Sequence, residues 1–346
     1  IVLAPSRTYA FFVLRSANDA AGRPLGVPES FARLRALVPP ADAVGQRAWA
    51  VYRPLWSALQ LAGIDVGEVA AATVFTTGDA VRETFAVSEA LRARHTVEIT
   101  DLRVDADDGD RHERYCELVG RVSYPQFQRG RPPFDTEGLF EPGADGLPAV
   151  QRQEEALVTL ALPRTPMPES GFPLMLYFHP SGSLAASVVD LGKVHTPGGP
   201  DDVGRGPAHV VAAYGIASAG SGLPVNPERL PGAGETAYLN LANPAAFRDT
   251  FRQGIAEQRM FLDALLRLRI PPATAAACGL PAPPGGAFRF DGSRVVAQGQ
   301  SMGGMYANLV GALEPRIRAV VPTSAGGYWS WFLLQKALVP NAAPLL

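Results

Sequence analysis

The sequence predicts an α/β fold: a doubly wound, mainly parallel sheet preceded by a small mixed α/β N-terminal region. Three observations predict it. From about residue 115 onward, short apolar runs alternate with helical segments. One of those segments, "NPAAFRDTFRQGIAEQRMFLDALLRL" (243–268), is a long amphipathic helix pattern. A glycine-flanked serine, Ser301 in "VVAQGQSMGGMYANL" (295–309), stands between an apolar strand and a helix-forming run.

The elements follow in order. "TYAFFVLRS" (8–16) has the aromatic and β-branched content of a strand, and turn-rich "ANDAAGRPLG" follows it. "AWAVYRPLWSALQLAG" places Trp49, Tyr52, Leu55, Trp56 and Leu59 at helical spacing; Pro54 should kink or restart that helix, and Gly63 should stop it. "VAAATVFTT" (69–77) reads as a buried strand, and "DAVRETFAVSEALRA" as a helix capped by Asp79. Residues 1–100 thus form an accessory region whose beginning is expected before Ile1. Residues 101–114, "DLRVDADDGDRHER", read as an acidic linker. Calcium is the alternative for its Asp105, Asp107, Asp108 and Asp110, but Gly109 and Cys116 occupy two positions where an EF-hand loop needs ligands. From 115 to 346 the apolar runs are "CELVGRVSY", "EALVTLAL", "LMLYFH", "HVVAAYGIAS", "SRVVAQG" and "IRAVVPTS". Runs this apolar suit strands covered on both faces. In the long helix, Asn243 is placed to cap, Pro244 occupies the first helical position, and Phe247, Phe251 and Ile255 share a face.

Composition narrows the function classes. The 346 residues carry 31 Lys+Arg against 33 Asp+Glu, a net charge of -2, and the basic residues are scattered. That balance gives no general attraction to nucleic acid or to an anionic membrane. No run reaches the ~18 apolar residues of a membrane span. The first residue is Ile rather than Met, which reads as a cut, so that any exported leader is already gone. Cys116 and Cys278 fit one disulfide or two buried thiols equally well.

Gly299-Gln300-Ser301-Met302-Gly303-Gly304 fits the G-x-S-x-G elbow, which lifts a serine hydroxyl above a sheet and points a helix N-terminus at a developing oxyanion. Its glycines answer a steric need, since side chains there would collide with strand and helix. "PLMLYFHPSGS" (173–183) is an apolar strand ending in a small-residue loop, the place from which a second oxyanion N–H comes. Pro180 has no N–H, so Ser181 is the candidate donor beside the N–H of Met302. His179 reads better as a residue that orders the loop than as a proton carrier.

With "FPLMLYFHPSGS", "NLANPAAFRDTFRQGIAEQRMFLDAL" and "FDGSRVVAQGQSMGG", residues 115–346 resemble the α/β-hydrolase superfamily, more narrowly secreted bacterial esterases and lipases of the virulence-factor lipase type. "LAPSRTYAFFVLRSANDAAGRPLG" resembles the closing strands of bacterial Ig-like modules. The resemblance implies a secreted or envelope-bound carboxylic-ester hydrolase acting through an acyl-serine, on lipid or small-molecule esters, with no cofactor and no metal. A peptidase or amidase would share every residue named.

Two departures stand against it. Relatives carry a histidine-glycine pair where this chain has "ASAGSGLPVNPERLP". The superfamily also orders its triad serine, acid, histidine, whereas all five histidines here (His95, His112, His179, His195 and His209) precede Ser301 and Glu314 is the one acid after it. The first expectation is therefore a fragment whose acid and histidine lie beyond residue 346, along with further strands of the sheet. A catalytically dead binding protein is the second, and a rearranged triad using His195 or His209 the third. "YWSWFLL" suits a lid, an acyl pocket or plain core.

Overall fold

A computed structural model describes residues 3–36 and 39–326 of the chain. They fall into two compact units, Ile1–Glu83 and Thr84–Leu346. In the first, β1 (Thr8–Leu14) pairs antiparallel with β2 (Val69–Thr76), with α1 (Glu29–Arg35) and α2 (Ala43–Leu61) between them in sequence. Phe31, Leu55, Trp56, Leu59 and Val69 make its core. Asp42 caps α2 by accepting from the Gly45 N–H, and Gly63, at φ +70°, ends it. Pro54 lies inside α2 without dividing it. The proline removes one backbone hydrogen bond, and the burial of Leu55, Trp56 and Leu59 just beyond it holds the helix together. β2 was expected to be buried; only Val69 and Ala70 are, because a two-stranded sheet has one face left open. Among the described residues this unit has no second sheet.

The boundary between the units falls in the first turn of α3 (Ala80–Arg94), which Asp79 caps by accepting from the Arg82 N–H. The second unit therefore begins earlier than the expected linker. Residues Ile99–Val104 form β3, which pairs with β4 (Tyr115–Gln126), so the expected linker is a strand and a turn of the main sheet. The sheet continues with β5 (Arg152–Pro163), β6 (Phe172–Phe178), β7 (Ala217–Ser221), β8 (Phe290–Gln300) and β9 (Ile317–Thr323), in the order β3-β4-β5-β7-β6-β8-β9. The pairings from β3 to β5 and on to β7 are antiparallel, and those among β7, β6, β8 and β9 are parallel.

Alternation along β6 shows why its run is wholly apolar. Leu174, Leu176 and Phe178 face a core shared with α6 (Pro244–Arg267) and α7 (Met302–Leu313), while Met175 and Tyr177 face α4 (Ser187–Asp190) and α5 (Pro207–Ala212). Around β6 the sheet is thus covered on both faces, whereas β9, expected to be covered likewise, is largely exposed. "HVVAAYGIAS" is not one strand: its first half belongs to α5, and only Ala217 onward is strand. Pro207 starts that helix, Gly215 at φ +69° lets the chain turn out of it, and the buried Ala208 and Ala212 are spaced one helical turn apart. Asn243 does not cap α6. Its amide donates to the Phe134 and Glu137 carbonyls instead, fastening the helix start to a neighbouring loop.

Cys116 and Cys278 are joined in a disulfide that ties the start of β4 to the segment before β8. No helix among the described residues is long and apolar enough to cross a membrane. "YWSWFLL" lies outside the described residues.

Candidate active site

Parallel pairing of β6 with β8 sets Phe178 opposite Gly299, so the two chains leave the sheet side by side as His179-Pro180-Ser181 and Gln300-Ser301-Met302. Ser301 has φ 54° and ψ −118°, a backbone conformation that L-residues adopt only under strain. The surroundings enforce it. The Ser301 N–H donates to the Thr323 carbonyl at the end of β9, at 2.9 Å, and α7 begins at the next residue.

The glycines have their expected steric reason. A Cβ on Gly303 would lie 1.9 Å from the Phe178 carbonyl oxygen, and one on Gly299 would lie 2.1 Å from the Gly303 carbonyl oxygen. Both targets are backbone, so neither can step aside. Helix α7 therefore starts in direct contact with the end of β6, which brings its first turn against the 179–183 loop.

Donor groups are free at this junction. Ser301 makes no side-chain capping bond, so its hydroxyl is not spent on α7. The N–H groups of Met302 and Ser181 have no hydrogen-bond partner among the described residues, whereas those of Gly182, Ser183, Leu184 and Ala185 are all taken. A half-buried serine hydroxyl beside a helix N-terminus and a loop N–H is an arrangement that can attack a carbonyl and hold the resulting oxyanion.

His179 is fixed as the sequence suggests. Its ring is 1% exposed, and Nε2 accepts the Leu223 N–H at 2.9 Å. The ring proton must then be on Nδ1, which donates to the Pro180 carbonyl at 2.8 Å. Burial pushes its pKa down to about 4. Both nitrogens are occupied, so this histidine holds the loop and has no lone pair for Ser301.

Two further residues, which sequence reasoning missed, support the loop. Asn226, buried at 1% exposure, accepts the Gly182 N–H at 2.9 Å, donates to the Pro224 carbonyl at 2.9 Å and lies 3.9 Å from the Met302 sulfur. Glu228 accepts the Ala185 N–H, while its second oxygen is buried without a partner; burial pushes its pKa up to about 7. Both come from "GLPVNPERLP", within the stretch that lacks the expected histidine-glycine pair. Two polar side chains among small and apolar ones were the available signal. Next to them, Arg229 pairs with Glu257 of α6 and with Glu154 of β5.

No hydrogen bond joins any histidine to Ser301 among the described residues. His195 is exposed and lies 3.6 Å from Asp202, and His209 meets Arg205 at 3.0 Å. Glu314, the one acid after Ser301, is buried and bound to Arg259 and Arg316. Burial alone would raise its pKa, but the Arg316 hydrogen bonds outweigh that and hold it at about 2. It is a structural counter-ion for two guanidiniums.

No family model and no curated protein matches the sequence. Among solved structures, the chain is similar to an acetyl xylan esterase from Paenibacillus sp. R4, at 15% identity over 68% of this chain and 56% of that one, with a TM-score of 0.37. It is similar to acetyl xylan esterase 1 from Thermoanaerobacterium sp. JW/SL YS485, at 14% identity over 74% and 63%, with a TM-score of 0.42. A ferulic acid esterase from Streptomyces cinnamoneus matches at 18% identity over 51% and 55%, with a TM-score of 0.31. The chain spans between half and two thirds of the length of these structures. Likeness this distant assigns no activity.

Proposed function

We propose that the protein is a serine hydrolase of carboxylic esters that works through an acyl-serine on Ser301. The observation that carries this reading is the strained Ser301 at the tip of β8, with a free hydroxyl and the unpaired Met302 N–H beside it. In the proposed reaction Ser301 Oγ attacks the ester carbonyl carbon, and its proton passes to a base. The N–H groups of Met302 and Ser181 hold the oxyanion. Collapse breaks the bond to the alcohol, which leaves with the proton, and water then hydrolyses the acyl-serine to the acid.

The base and its orienting acid are assigned to groups outside the 346 residues. The acyl substrate is a lipid or small-molecule ester, and the site of action is the cell exterior or envelope. The Cys116–Cys278 disulfide supports that location, because such bonds persist in oxidising compartments.

A missing base can be replaced in part by one from solution. We expect imidazole to accelerate acylation of Ser301 by p-nitrophenyl acetate, read as an acetyl mass increment on the peptide carrying Ser301. Ser301→Ala should lose the increment. A folded wild-type chain in which Ser301 gains no acetyl group with or without imidazole would sink the hydrolase reading and favour a binding protein.

A further inference from the structure

The turn between β3 and β4 brings together three side chains that the proposed reaction does not use. His112 Nε2 lies 2.9 Å from Glu117 Oε2 and 3.5 Å from Asp108 Oδ1, and the three ligand atoms lie within 4.8 Å of one another. His112 and Glu117 are more than nine-tenths buried at the side chain, while Asp108 is 41% exposed. One ring nitrogen thus faces two carboxylates and carries at most one proton. The second Glu117 oxygen and both Asp108 oxygens have no hydrogen-bond donor among the described residues. Asp190 of α4 lies within electrostatic range of Asp108 and His112 and adds a further carboxylate. Glu117 is the buried carboxylate of the group and meets only His112, so a cation shared with the half-exposed Asp108 would offset the cost of its burial.

The frame around the three is rigid. The Glu117 N–H donates to the Gly109 carbonyl at 2.9 Å, and the Asp105 N–H to the Glu117 carbonyl at 3.1 Å. The Arg164 guanidinium reaches the carbonyls of Asp110, His112 and Cys278. His112 stacks on Tyr115 with centroids 4.4 Å apart, and Gly204 at φ +74° passes so close that a Cβ there would be 2.9 Å from His112 Nδ1. His112 and Glu117 are therefore held together before any ion arrives.

We propose that Asp108, His112 and Glu117 form a structural site for a zinc ion, unrelated to the Ser301 reaction and fastening the β3–β4 turn to β4. Neutral imidazole with carboxylates suits zinc, whereas calcium and magnesium prefer oxygen ligands alone. Ligand atoms around tetrahedral zinc stand roughly 3.4 Å apart, close to the spacing seen for His112 and Asp108. Asp108, on the exposed turn, has room to rotate inward. The calcium alternative drawn from Asp105, Asp107, Asp108 and Asp110 is not supported by this arrangement: of the four, only Asp108 belongs to the ligand cluster found among the described residues, and Asp105 accepts the Asp107 N–H.

The test is a titration of the EDTA-stripped 346-residue chain with zinc chloride, followed by calorimetry and elemental analysis. One zinc per chain is expected, with a rise in the thermal midpoint of about 5 °C at zinc roughly a hundredfold above Kd. His112→Ala and Glu117→Gln should each weaken binding by about a hundredfold or more. Asp108→Asn, on an exposed turn where misfolding is not a concern, should weaken it too, and His195→Ala should change nothing. A folded chain that takes up no stoichiometric zinc would show a buried ion pair only and overturn the proposal. So would zinc binding unaffected by Asp108→Asn and His112→Ala, or calcium binding in preference to zinc.

Discussion

Glu228 shows how much one buried oxygen can matter. Its pKa of about 7 stands above the ordinary glutamate value because burial disfavours the carboxylate by more than the Ala185 N–H and the Arg229 charge together compensate. The folded state therefore binds this proton more tightly than the unfolded state does. Stability from this group is present below the unfolded value and is lost as pH rises toward 7. Glu228→Gln, which has no charge to bury, should gain on the wild type as pH rises from 5 to 8. The expected difference is on the order of 2–3 kcal/mol, read from denaturant melts at both pH values. A constant difference across that range would mean that Glu228 titrates normally. The sequence does not disclose this environment, because nothing in "NPERLP" reports which side of Glu228 is dry.

At the scale of elements, the elbow depends on α7 starting against the end of β6. Gly303→Ala would set a methyl group 1.9 Å from the Phe178 carbonyl oxygen, a backbone atom fixed in the sheet. The helix must then move away, or its first turn must unwind. We expect a loss of about 3 kcal/mol or more, as overpacking against rigid neighbours produces, together with loss of acylation at Ser301. A variant with unchanged thermal midpoint and unchanged acetylation would show that the junction is looser than the glycine contacts indicate. Strand, turn and helix were legible here from "VVAQGQSMGGMYANL", where Gly299 meets the Gly303 carbonyl within the motif, whereas the contact of Gly303 with β6 exists only in the fold. The extent of α5 was not, because Pro207 and Gly215 govern a short helix inside a run that is apolar from end to end.

Across the whole molecule, the Cys116–Cys278 disulfide closes a sequence separation of 162 residues within the second unit. In the chain-entropy model a loop of that length stabilises by about 5 kcal/mol through the unfolded ensemble. Reduction with dithiothreitol should therefore lower the urea midpoint of the second unit, with a loss of unfolding free energy of that order, and Cys116→Ser should match the reduced wild type. If reduction leaves the midpoint unmoved, the cross-link contributes nothing to stability. Spacing alone could not pair these cysteines, because residues so distant in sequence meet only once β4 and the segment before β8 share one core.

The sequence by itself determined the α/β class, the long helix and the elbow, because each is written in local periodicity or local sterics. Phe247, Phe251 and Ile255 fall on one face whatever surrounds them, and Gly299 meets the Gly303 carbonyl within the elbow itself. The tertiary structure alone decided which polar groups meet. It set Asn226 and Glu228 under the Ser181 loop and closed His179 between Pro180 and Leu223. It gave Glu314 to arginines, and it folded Asp108, His112 and Glu117 onto one point. The physical reason is common to all of these. A hydrogen bond or a charge acts over a few ångströms of space, and the strand order brings those ångströms together from parts of the chain tens of residues apart.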